Sequence, residues 1–147
     1  MDKIEILKSR LNSFNPKKII LYNREYLEFS ELEEILKEVF NNKLQKHFIH
    51  DMFRIYEKYP EEDNDIFWSM LHGIESINNY KDALFLSLNK KITKFGILMV
   101  NRIINKGIIT YKNQNLLNLL EQFMNNESLS NELRNDAKEF FEYQSSK

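Results

Sequence analysis

Apolar and polar positions alternate with a helical rhythm along most of this chain, and the rhythm is clearest between Asp65 and Gly107. That stretch reads as three consecutive helices joined by very short turns, with no proline inside it. Stepping 100° per residue places Ile66, Phe67, Met70, Leu71, Ile74 and Ile77 on one broad face of the first of them. Trp68, His72 and Glu75 follow one another at spacings of four and three, so they stack as a second stripe on the other side. The helix Thr93–Lys106 carries Phe95, Ile97, Leu98, Met99, Val100, Ile103 and Ile104 in almost every direction. It is therefore expected to be covered on several sides and to be the most buried element, with Met99 and Ile103 at its centre.

The flanking segments are simpler. A first helix is expected from Asp2 to about Ser13 with Ile4, Leu7 and Leu11 inward, ending before Pro16. In residues 18–29, two short apolar runs flank Asn23-Arg24-Glu25. A short β-hairpin and an irregular or helical connector both fit, and no Asn-Gly pair decides between them. Ser30 with Glu33 matches a capping box for a helix that buries Leu32, Ile35, Leu36 and Val39. Leu44–Tyr59 should form the next helix, with Phe48, Met52, Ile55 and Tyr56 inward. Pro60 and the acidic run Glu61, Glu62, Asp63 and Asp65 make a loop and a helix start, where carboxylates suit the positive end of the dipole. The last helices fall at about Gln114–Asn125 and Ser130–Tyr143. Tyr80 and Tyr111 each follow a helix end and a polar turn, about thirty residues apart, which is the period of helical solenoids of the TPR and HEAT kind.

Composition agrees with helices. Among 147 residues there are only three glycines and two prolines, too few for the turns of an all-β fold. A chain this long buries a continuous core, and 42% hydrophobic with 29% charged residues excludes wholesale disorder. The expected architecture is all-α: a single domain over residues 1–147, built as a right-handed stack of antiparallel helix pairs, with the hairpin near residues 18–29 left open. No cysteine is present, so disulfides and thiolate metal sites are ruled out, which fits a cytoplasmic protein. The N-terminus is amphipathic and charged throughout, unlike a secretory signal, and no run of ~18 apolar residues suggests a membrane span.

The net charge of −1 gives no global attraction to nucleic acid. The distribution is uneven: residues 78–120 hold one acid against seven bases, while both ends are acidic. Lys90, Lys91, Lys94, Arg102, Lys106 and Lys112 could meet phosphates, but a charge run is usually a solvated face and only Tyr111 is near enough to stack a base. No nucleic-acid partner is expected.

Few residues suggest chemistry. His47, His50 and Asp51 could offer two imidazoles and a carboxylate to a divalent metal, as a metal-dependent hydrolase requires. The plainer reading has both histidines bordering the face buried by Phe48, Met52 and Ile55. His72 and Glu75 reverse the order used in bundle di-iron sites and have no second copy. No phosphate-binding loop or nucleophile elbow is present. Gly73 and Gly96 lie inside helices, where glycine permits close approach of a neighbour. No metal, cofactor or catalytic residue is assigned, and an enzyme is the third reading.

The segment DIFWSMLHGIES followed by FGILMVNRIINKG resembles small all-helical immunity proteins of bacterial polymorphic-toxin systems, of the kind catalogued as immunity protein thirty. The resemblance lies in a His-x-x-Glu element, here His72 and Glu75, followed by an Arg-Ile-Leu-Asn-like run, here Arg102-Ile103-Ile104-Asn105. It covers about residues 57–107. It implies a non-catalytic protein that binds and neutralises a cognate toxin domain, nucleases being common among such toxins. The contact elements would be Glu61, Glu62, Asp63 and Asp65 with Trp68, His72 and Glu75. A general helical-repeat adaptor is the alternative. Neither reading specifies the toxin or the oligomeric state.

Overall fold

The structure is a computed structural model that describes residues 1–147. Helix α1 (Lys3–Asn12) precedes a hairpin of β1 (Lys17–Leu21) and β2 (Arg24–Glu28), followed by α2 (Ser30–Asn41). A 3₁₀ turn (Gln45–Phe48) runs into α3 (Ile49–Lys58), and then come α4 (Asp65–Glu75), α5 (Tyr80–Lys90) and α6 (Lys94–Asn105). A second hairpin, β3 (Thr110–Tyr111) with β4 (Gln114–Asn115), leads into α7 (Leu116–Met124) and α8 (Asn131–Ser145). The fold is mostly helical, with two small antiparallel ribbons. It divides into two compact units: Met1–Phe53 with Asn64–Ala83, and Arg54–Asp63 with Leu84–Lys147.

In the first unit, the Asp2 carboxylate caps α1 by accepting from the Glu5 N–H at 2.8 Å. Leu7 and Leu11 turn inward at the spacing of one helical turn. Helix α2 buries Leu32, Ile35, Leu36 and Val39, the i, i+3, i+4, i+7 set, and packs against α1 and α4. On α4 the buried residues are Phe67, Met70, Leu71 and Ile74. Gly73 belongs to that contact, because a methyl group there would overlap the ring of Phe40. The β1–β2 ribbon is held at its base by phenylalanines on either side of it. Phe14 and Phe29 have ring centroids 5.9 Å apart, Phe29 meets Phe67 edge-on at 5.2 Å, and all three are buried.

In the second unit, α6 is the centre. Thr93 caps it through the Gly96 N–H at 2.9 Å, and Met99 and Ile103 are completely buried. Tyr56 stacks flat on Phe95 with centroids 4.9 Å apart, and the Pro60 carbonyl accepts from the Lys94 N–H at 2.7 Å. Helix α8 closes over α6 through polar contacts. Lys94 Nζ lies 2.8 Å from Asp136 and 3.5 Å from Glu132. The Gln144 amide donates to Asn101 and Asn105, at 2.7 Å each. Burial pulls the Lys94 ammonium pKa down, but the hydrogen bond and charge of Asp136, helped by Glu132, outweigh it and hold the pKa above the ordinary lysine value.

One element that the sequence leaves open is decided by the structure, and several others differ from expectation. The first hairpin is formed, and its two-residue loop, Tyr22-Asn23, has φ of 52° and 63°, the left-handed pair of a type I′ turn. A second hairpin occupies residues 110–115, so the helix expected from about Gln114 begins at Leu116; the hairpin's loop, Lys112-Asn113, repeats this geometry with φ of 47° and 68°. Ser30 is not an N-cap but the first helical residue of α2. The cap position falls to Phe29, and the Ser30 N–H is taken by the Glu28 carboxylate instead. Contacts from the Ser30 side chain and backbone hold the Glu28 carboxyl pKa below its usual value. Tyr80 starts a helix whereas Tyr111 lies on a strand, so the two tyrosines do not mark equivalent positions. The element order carries a different echo: helix–hairpin–helix occurs as α1-β1-β2-α2 and again as α6-β3-β4-α7.

Candidate functional site

Helix α4 is positioned from both ends. The Asn64 side chain accepts from the Phe67 N–H at 2.8 Å, completing the start that Asp65 favours, and the Ser76 N–H closes the last turn on the His72 carbonyl. With Phe67, Met70, Leu71 and Ile74 buried, the helix cannot rotate without exposing its core face. Trp68, His72 and Glu75 are consequently held on the outer side: Trp68 and Glu75 half-buried, His72 exposed. Ile66 and Ile77, expected on the inner face, lie at its margin and are half-buried.

The seven proposed contact residues fall in both units. Asp65, Trp68, His72 and Glu75 belong to the first, and Glu61, Glu62 and Asp63 to the second. Asp65 is exposed at the first turn of α4. Glu61 is exposed but engaged, since its carboxylate accepts from the Ser130 hydroxyl at 2.8 Å and so ties its loop to the start of α8. Asp63 is exposed and Glu62 half-buried. A surface cleft of about 490 Å³ within the second unit runs past Glu61, Lys90, Lys91 and Ser130.

The other sequence candidates separate. His47 and His50 are exposed, whereas Asp51 is buried and ion-paired with Lys8 at 2.9 Å. The carboxylate a metal would need is therefore already matched by an ammonium group. Of the basic set, Lys94 is committed to Asp136 and Glu132. Tyr111, the one aromatic available for base stacking, is itself stacked on Phe85 at 4.9 Å with Lys112 Nζ over its ring. Arg102-Ile103-Ile104-Asn105 has an internal use, because Ile103 is core and Asn105 receives Gln144.

The sequence reading gave no function to the outer part of the β1–β2 ribbon. Ile19, Ile20, Leu21, Tyr22 and Tyr26 are all exposed there, Ile20 at 75% and Tyr22 at 94%. No third strand joins it. The available signal was Lys17-Lys18-Ile19-Ile20-Leu21, a strand-length run without apolar–polar alternation, and hence without one face destined for the core. Compared with models of known families, with curated proteins and with solved structures, the chain gives no match.

Proposed function

We propose that this chain is a non-catalytic binding protein that neutralises a bacterial toxin by direct contact, with the outer side of α4 as the contact in the first unit. The observation carrying the proposal is the placement of Trp68. It sits half-buried beside an exposed His72, on a helix whose opposite face is locked into the core. A partly exposed tryptophan on a rigid helix suits an interface anchor, since Trp supplies large contact area and little rotamer entropy is lost on binding. The choice of a toxin as partner rests on the resemblance of residues 57–107 to immunity proteins. The acidic residues fit that reading, because carboxylates accelerate encounter with the basic site of a nuclease.

The test is co-expression with the product of the neighbouring gene, followed by binding kinetics. Trp68→Ala should raise the dissociation rate at least about tenfold with the helical signal unchanged. Unchanged kinetics would remove α4 from the interface, and no complex with a neighbouring toxin would remove the immunity role. The second reading is a helical-repeat adaptor with HEAT- or TPR-like stacking. Its support is the mostly helical fold, not the helix–hairpin–helix recurrence, whose copies start at Lys3 and Lys94 and so lie far outside the period of such stacks. A partner unrelated to toxins would favour it.

A further inference from the structure

The open edge of β2 can pair with itself, and its charges select one way of doing so. We propose that two copies of this chain associate through their β2 strands, antiparallel and centred on Tyr26, to make a four-stranded sheet.

The argument starts at the turn. In a two-residue type I′ hairpin the residues flanking the loop, here Leu21 and Arg24, form a hydrogen-bonded pair, and pairing then alternates along the ladder. The backbone N–H and C=O groups of Arg24, Tyr26 and Glu28 therefore point to β1, while those of Glu25 and Leu27 point to the open edge. A second β2 strand must bring its own Glu25 and Leu27 to that edge, which leaves three antiparallel registers. One sets Glu25 against Glu25 and is repulsive. Another sets Leu27 against Leu27 and leaves Arg24 without a partner. The third sets Tyr26 against Tyr26, Glu25 against Leu27 and Arg24 against Glu28, the last pair occurring twice by symmetry. It forms four backbone hydrogen bonds and pairs all five residues.

The side chains agree with this register. Arg24 is exposed, Tyr26 is 47% exposed, and the Ile19 opposite Tyr26 on the same face is 37% exposed. Pairing would align Ile19 and Tyr26 of one copy with Tyr26 and Ile19 of the other across the sheet. The Glu28 carboxylate already accepts from Ser30 but has lone pairs for a further donor. The β1 edge offers no equivalent, since its symmetric pairing would set lysines against Leu21 and Ile20. The ribbon's Phe14–Phe29–Phe67 base holds it without help from its outer residues.

Sedimentation of the full chain over a wide concentration range tests the proposal, which is independent of any toxin. The expected result is a reversible monomer–dimer equilibrium. Arg24→Glu and Glu28→Arg should each weaken it by about tenfold or more, because each turns two attractive pairs into two repulsive ones. An equimolar mixture of the two variants should recover association, since opposite charges again face each other at both ends. Glu25→Pro should abolish association with the hairpin retained, because the N–H it removes faces the open edge and the Lys18 ion pair lost with the Glu25 carboxylate is solvent-exposed. If the Ser30 contact makes Glu28→Arg unfold, circular dichroism will show it, and Arg24→Glu with Glu25→Pro decide. A monomer at every concentration, association indifferent to Arg24→Glu and Glu25→Pro, or two folded charge variants that fail to recover on mixing would overturn the proposal.

Discussion

At the scale of single residues, a close approach, a buried side chain and an ion pair each have a cost that a substitution can read out. Gly73→Ala should destabilise the first unit by roughly 1–2 kcal/mol, because displacement of the Phe40 ring outweighs the better helix propensity of alanine. The same change made with Phe40→Ala should become neutral or stabilising, and a denaturant double-mutant cycle measures the coupling. Met99 is fully buried at the centre of α6, so Met99→Ala should cost about 2–5 kcal/mol in lost burial and cavity. Lys94 has a pKa raised in the folded chain, so its ion pair contributes fully below the unfolded lysine pKa and is lost as pH climbs through the raised value. Unfolding followed from pH 7 to 12 should show an alkaline loss of stability in the parent chain that is reduced in Lys94→Met. Of these three, Met99 was legible from periodicity alone. The partners of Gly73 and Lys94 lie 33 and 42 residues away, and spacing does not name partners at such distances.

At the scale of elements, the helices were legible because each supplies several turns of one repeating pattern. Helix α2 buries the face that 3.6-residue phasing assigns, α4 buries the middle of its face with Ile66 and Ile77 at the margin, and α6 is buried on several sides with Leu98 and Ile104 half-buried. The hairpins were harder for a physical reason. Strands β3 and β4 have two residues each, shorter than any window in which a period of two is measurable. Both loops set Asn second, a residue that tolerates left-handed backbone, but Tyr22 and Lys112 ahead of it are not the usual first residues. That mismatch is correctable. Tyr22→Asn together with Asn23→Gly should stabilise the chain by about 1 kcal/mol, since Tyr22 is almost wholly exposed and its left-handed backbone is strained. The check is a higher urea midpoint at unchanged slope. Ser30 shows how a cap is misread: Ser-x-x-Glu fits a capping box, yet Glu28 lies two residues upstream and takes the Ser30 N–H first.

At the scale of the whole chain, the stripe on α4 follows from phase, but the assignment of Glu61–Asp63 to one unit and Asp65–Glu75 to the other does not. The division is set by partners such as Ser130 for Glu61 and Phe95 for Tyr56, which no local window contains. It also interleaves the units in sequence, and that ordering has a consequence for biosynthesis. The segments of the first unit have all left the ribosome once residue 83 emerges. Arg54–Asp63 emerges among them, yet Tyr56 must wait for Phe95, Pro60 for Lys94 and Glu61 for Ser130. Until residue 144 arrives, Asn101 also lacks its Gln144 partner. A nascent chain therefore carries an early-made segment whose companions are translated later, from Lys94 and Phe95 to Ser130, so the second unit cannot close around that segment until most of the chain has emerged.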